Sequence, residues 1–224
     1  MGDHMSRPKF VVLPLVMVSF LFAACTTEDA QQAEGGRDNT APPTGETGDS
    51  AACSTEVSLQ TFLEAMPEEF AGLQHDPAYD AVADRGWSRF YQADLYQFSV
   101  DSFYYEEGDI YDVCPENPQR AAQELRTFAA KDYQRQQEEH GQEVLPFEEL
   151  DFEAGGRYFA CAKNPAADLR QFFCATSVGN VGVLNYMFRH SKGDAEDVED
   201  MKQASSELAA IIDQVPVGPG LADS

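Results

Sequence analysis

Cysteines, histidines and carboxylates are the side chains whose spacing could support chemistry in this 224-residue chain, and its five cysteines say the most. Cys53, Cys114, Cys161 and Cys174 form no C-x-x-C pair and have no histidine at ligand spacing, so no metal site is expected. As disulfides, four cysteines allow three connectivities. Cys161 and Cys174 flank a segment that reads as a hairpin centred on Ala167 and Asp168, which would set them opposite each other; the expected pairs are Cys161–Cys174 and Cys53–Cys114. Closing the shorter loop stabilises the fold by about 3 kcal/mol on the chain-entropy argument. The competing use of Cys174, as a nucleophile beside His190, is weaker than disulfide formation for an exported chain. His75, His140 and His190 are far apart and read as solvated or core-satisfied rings. The chain contains no G-x-S-x-G, H-E-x-x-H, G-x-x-x-x-G-K-[ST] or G-x-G-x-x-G, so no catalytic residue and no cofactor is assigned.

Carboxylates dominate the charge: 39 acidic side chains against 15 basic ones give a net charge of -24 and exclude nucleic acid, itself a polyanion, as a partner. Two runs stand out. Glu106, Glu107, Asp109 and Asp112 surround a turn, and Asp194, Glu196, Asp197, Glu199 and Asp200 lead into a helix; neither matches the D-x-[DN]-x-[DN]-G calcium loop, and both read as solvated surface. The 15 Phe, 9 Tyr and single Trp supply enough apolar area for a folded core.

At the amino terminus Arg7 and Lys9 precede an uncharged, mostly apolar run from Phe10 to Ala24, which is shorter than the roughly 20 residues that span a bilayer and has the layout of a secretory signal peptide. Translation could start at Met1 or Met5 without altering that layout. The run ends Leu21-Phe22-Ala23-Ala24-Cys25, which resembles the lipobox of bacterial lipoproteins, although Phe22 stands where leucine is usual. The resemblance implies cleavage before Cys25, a diacylglyceryl group on its sulfur, and residence at the outer face of the bacterial cell membrane. It also leaves an even number of cysteines, as a disulfide framework in an oxidising compartment requires.

Residues 25–52 read as this lipidated cysteine and a flexible acidic tether, since Thr26 to Ala52 has no aliphatic side chain larger than alanine. Its root-mean-square reach is about 25 to 30 Å. Without residues 1–24 the chain carries 13 basic and 38 acidic side chains, and the tether accounts for only 6 acids and 1 base of these. Most of the acidity therefore belongs to a folded domain over 53–215, followed by a short tail, 216–224.

Within that domain Leu59, Phe62, Leu63 and Met66 mark one helical face, capped by Ser58 and ended by Pro67. The period then changes over Gly86 to Tyr105, where Tyr96, Phe98, Val100, Ser102 and Tyr104 share one face of a half-buried strand; Ile110 to Val113 is the expected returning partner. Asn117-Pro118 starts a helix with Ala121, Ala122, Leu125, Phe128 and Ala129 buried and Gly141 as its stop. Strands are expected over Arg157–Ala162, Leu169–Ser177 and Val181–Phe188, the last two joined by Gly179-Asn180. Val198, Met201, Ser205, Leu208, Ile212 and Val215 then repeat at helical spacing. The order α-β-β-α-β-β-β-α predicts an α+β fold: an antiparallel sheet with helices packed on one face and two disulfides.

Cys161, Phe172-Phe173-Cys174-Ala175, Val178 to Val183 and the closing amphipathic helix together resemble the carboxy-terminal half of exported actinobacterial lipoproteins and of similar extracytoplasmic sensor domains. That resemblance covers residues 161–215 and implies no catalytic motif. Trp87, Tyr91, Tyr96, Phe103 and Tyr105 belong to an aromatic stretch too rich for one sheet face; core packing is the first reading of these residues, and a binding groove for an apolar ligand, glycan or partner protein is the alternative. The functional expectation is a cell-envelope lipoprotein, attached to the membrane by lipid, whose acidic domain is a non-catalytic binding or accessory module for an envelope protein or small ligand. A cell-wall hydrolase without a recognisable motif and a structural spacer are the alternatives.

Overall fold

A computed structural model of the chain describes residues 55–93, 96–107, 110–111, 114–141, 143–144, 146–164 and 169–219, all within one compact unit, Gly48–Ser224. The signal-peptide stretch, Cys25, the tether and Cys53 lie outside the described residues. Helix α1, Leu59–Ala65, begins as its sequence requires: the Ser58 side chain accepts from the Thr61 N–H, and Pro67 follows the Met66 cap. Short strands β1 (Glu69–Phe70), β2 (Leu73–His75) and β3 (Ala81–Ala83) precede two long ones, β4 (Gly86–Ala93) and β5 (Tyr96–Tyr104). A small ribbon of β6 (Glu106–Glu107) and β7 (Ile110–Tyr111) leads to α2, Pro118–Glu139, where Asn117 caps the first turn and Gly141, at φ +64°, follows the last. Strands β8 (Glu148–Ala154), β9 (Arg157–Lys163), β10 (Leu169–Val178) and β11 (Val181–His190) complete the sheet, and α3 covers Asp194–Ile212.

Nine strands form one antiparallel sheet in the order β1-β2-β4-β5-β11-β10-β9-β8, with β3 beside β4. The expected returning strand at Ile110 pairs with β6 in its own ribbon instead; β5 lies between β4 and β11, with Val181 opposite Tyr104 and Phe188 opposite Gln97. Being central, β5 is covered on both faces, so Ser99 and Asp101 are buried rather than solvated. β8 escapes the sequence reading because four of its seven residues are carboxylates, a composition depleted in strands, although Leu150, Phe152 and Ala154 keep the strand period.

Period-2 alternation divides the core in two. One face gathers Trp87, Tyr91, Phe98, Val100, Phe159, Cys161, Phe172, Cys174, Val183 and Met187 under α1 and α3. The other gathers Ala162, Phe173, Ala175 and Leu184 under Leu125 and Ala129 of α2. The helices therefore cover both faces, correcting the expected one-face arrangement. The sequence contains the reason, since β9, β10 and β11 are apolar on both sides, as strands between two layers must be. Phe128, expected in the α2 core, is 60% exposed because the buried stripe turns toward Ala122, Arg126 and Ala129.

Candidate functional site

The five aromatic residues that core packing or a groove could claim are divided among different environments. Trp87 is buried, donates its Nε1–H to the Leu59 carbonyl at 3.0 Å and meets Phe62 edge-on. Tyr91 is fully buried and donates its hydroxyl to the Pro67 carbonyl at 2.9 Å; burial raises its pKa above the ordinary phenol value, against the lowering influence of Arg89. Both hold α1 and the following loop to the sheet. Phe103 is on the opposite face, over Gly182 and against Leu125, where a Cβ on Gly182 would lie 2.9 Å from its ring. Tyr105 packs edge-to-face with Phe103, and burial raises its pKa, partly offset by the nearby Ser177 hydroxyl. The side chain of Tyr96 is outside the described set. Hence Trp87 and Tyr91 do not share a groove with Phe103.

The α2 face holds a different constellation, which aromatic counting missed. Phe147, Phe173 and Tyr186 stack in sequence at 5.1 and 5.3 Å, with Tyr133 of α2 at 5.7 Å from Phe147. Beside them Asp101 is 6% exposed; its carboxyl bonds with Ser88, while Oδ1 has no partner among the described residues. Burial pushes this carboxyl up to about 7, a shift that the Ser88 bond only partly offsets. Tyr186 is raised by burial and by the nearby Asp101, Asp132 and Tyr133, and Tyr133 reaches about 12 through burial, opposed by its bond with Gln137. This group of acceptors and phenols is seated on β5, β11 and α2, and its one unusual chemical property is a carboxyl that can exchange a proton near neutral pH. The signal available in the sequence was Asp101 itself, a charged residue in the middle of a strongly periodic strand.

Histidine chemistry is occupied by structure. His75 Nε2 lies 2.8 Å from Asp80 Oδ2, and Nδ1 lies 3.0 Å from Arg89 Nη2 and 3.3 Å from Glu68 Oε2. Arg89 also donates to the Leu63 and Met66 carbonyls at the end of α1. The cluster thus clamps α1, β2 and β4 together. His140 caps α2, and His190 closes β11. Cys174 is not available as a nucleophile: its sulfur is bonded to Cys161, and the residue opposite it on β11 is Asn185, five positions before His190.

The second acidic run is not wholly solvated. Asp197 is fully buried and accepts from Arg189 Nη2 at 2.6 Å, Arg170 Nε at 3.1 Å, Ser191 Oγ at 2.5 Å and the Lys192 N–H at 3.2 Å. Burial alone would raise its pKa, but these donors outweigh it and hold the carboxyl below the ordinary value. Arg189, itself fully buried, also reaches Asp200 at 2.5 Å, while Lys163 pairs with Asp194. These charges anchor the start of α3 to β10 and β11. In the first run, the side chains of Glu106, Glu107, Asp109 and Asp112 are outside the described set. Among the described residues no cluster of three or more potential metal ligands occurs. No protein-family model matches the chain, and no curated protein matches it.

Proposed function

We propose that the chain is a cell-envelope lipoprotein, anchored through Cys25 and acting as a non-catalytic binding or accessory module. The observation that carries this reading is the disulfide inside the sheet. Cys161 and Cys174 are directly opposed on β9 and β10, both fully buried, with Cα atoms 4.0 Å apart. Such a bond is formed and kept in an oxidising, extracytoplasmic compartment. That location agrees with the basic residues Arg7 and Lys9, the apolar run to Ala24 and the lipobox-like segment ending at Cys25.

A second disulfide, Cys53–Cys114, belongs to the same proposal. Thr55, two residues after Cys53 in sequence, has its Oγ1 3.4 Å from Cys114 Sγ, which supports this pairing. The non-catalytic reading is supported by the structural use of the charged side chains, since His75, Arg89 and Asp197 bond across secondary-structure elements. Metabolic labelling with an alkyne fatty acid tests the anchor. The wild-type chain is expected to take up label and Cys25→Ala to lose it; equal labelling of both would overturn the assignment.

A further inference from the structure

Among the described residues, the longest open strand edge is that of β8, which ends the sheet at the side opposite β1. The ladder register determines which of its backbone groups are free. The Asn164 N–H donates to the Gln171 carbonyl at 2.9 Å, so even-numbered residues of β9 bond toward β10 and odd-numbered ones toward β8. With Phe152 opposite Phe159 and Leu150 opposite Cys161, the even-numbered residues of β8 bond to β9. Glu149, Asp151 and Glu153 consequently turn their N–H and C=O groups outward. Their exposed side chains share the α2 face, while Leu150 and Phe152 are half-buried on the α3 face, against the larger core.

We propose that the β8 edge docks an extended segment of a partner protein as an added strand, with basic and apolar side chains alternating along that segment. The inference deepens the reading of the domain as a partner-binding module and rests on it. Residues directly opposite in a ladder share a face. Side chains opposite Glu149, Asp151 and Glu153 therefore meet three carboxylates, for which Arg126 supplies one counter-charge, at 2.7 Å from Glu149 and 2.6 Å from Asp151. Basic residues at two of these three places complete the balance. Side chains opposite Leu150 and Phe152 extend the apolar layer, where Lys202 Nζ already lies 5.8 Å from the centre of the Phe152 ring. A second copy of the chain is the wrong occupant, because β8 pairing with itself would set these carboxylates against one another. Main-chain bonds at the edge supply affinity, and the alternating side chains supply selection.

The test uses the full-length chain and two capped heptapeptides, one alternating lysine with valine and the other glutamate with valine. The lysine peptide is expected to slow amide exchange at Glu149, Asp151 and Glu153 by about tenfold or more, and to bind at least about tenfold more tightly than the glutamate peptide. Glu153→Pro removes an outward N–H that the β8–β9 ladder does not use, so it should lower affinity by about tenfold at an unchanged melting temperature. Glu153→Lys leaves the backbone donor in place and should narrow the preference for the lysine peptide, which keeps the test decisive if proline disturbs the strand. Absence of protection at the three amides, equal affinity for the two peptides, wild-type affinity in both variants, or self-association through β8 would each overturn the proposal. None of these readings depends on Cys25, so failure here is distinct from failure of fatty-acid labelling.

Discussion

Asp101 shows how much a single residue depends on what surrounds it. In sequence it lies on the polar side of an alternating strand; in the fold it is buried, one of its oxygens has no partner among the described residues, and burial pushes its pKa up to about 7. A folded-state value above the unfolded one means that the native state holds its proton more tightly, so stability associated with this group is fully present below about pH 4 and is lost as pH rises through about 7. Asp101→Asn should therefore stabilise the domain at pH 8, by about 2 to 4 kcal/mol, with the gain shrinking toward pH 5. Denaturant unfolding at the two pH values checks it, and a gain independent of pH would count against the assignment. Asp197 behaves in the opposite sense. Its lowered pKa contributes stability above the unfolded carboxylate value, and that contribution is lost on acidification through the folded value. Because Arg189 and Asp197 are buried together, Arg189→Met leaves a carboxylate short of its nearest cation and should cost about 3 to 5 kcal/mol, measured by the same unfolding experiment.

At the scale of elements, spacing located α1, α2, α3 and the strands β9, β10 and β11, because caps and periodic apolar positions are local properties. Ser58, Asn117 and the Met201-Ser205-Leu208-Ile212 stripe all do in the fold what their positions suggested. The elements that escaped were β4, merged with β5 in one extended stretch although the two form a hairpin, and the acidic edge strand β8, whose carboxylates mask a period that its neighbour in sequence, β9, completes. The β10–β11 turn shows the two levels meeting. Gly179 adopts φ +55°, as the tight hairpin requires, but a Cβ there would also lie 1.7 Å from the Thr55 carbonyl oxygen, and Asn180 Oδ1 accepts the Val57 N–H at 2.8 Å. Gly179→Ala should thus cost more than turn strain alone, about 2 kcal/mol or more, visible as a lowered melting temperature. Asn180→Asp, which preserves the acceptor, should cost less than Asn180→Ala.

Across the whole molecule, the disulfide and the two-sided core govern stability. Replacing Cys161 and Cys174 together with alanine should remove about 3 kcal/mol by restoring freedom to the unfolded loop, with further loss from the small cavities left in a fully buried site. For a domain of this size that is a fall of roughly 6 to 12 °C in melting temperature, measurable by calorimetry. With Cys53 and Cys114 also replaced by alanine in both chains, reductant should lower the melting temperature of the chain that keeps Cys161 and Cys174 toward that of the variant and leave the variant unchanged.

The amino-acid sequence by itself determined the net charge, the positions of the helices and the pairing of Cys161 with Cys174, because each rests on composition, local periodicity or a short loop. Only the tertiary structure decided that helices cover both faces, that Trp87 and Tyr91 belong to the core, that Asp101 loses its solvent and that β8 is left as an edge. Those outcomes depend on which strand lies beside which, with β5 and β11 joined across most of the chain between them. Burial is a property of neighbours, and a linear pattern does not specify neighbours so distant.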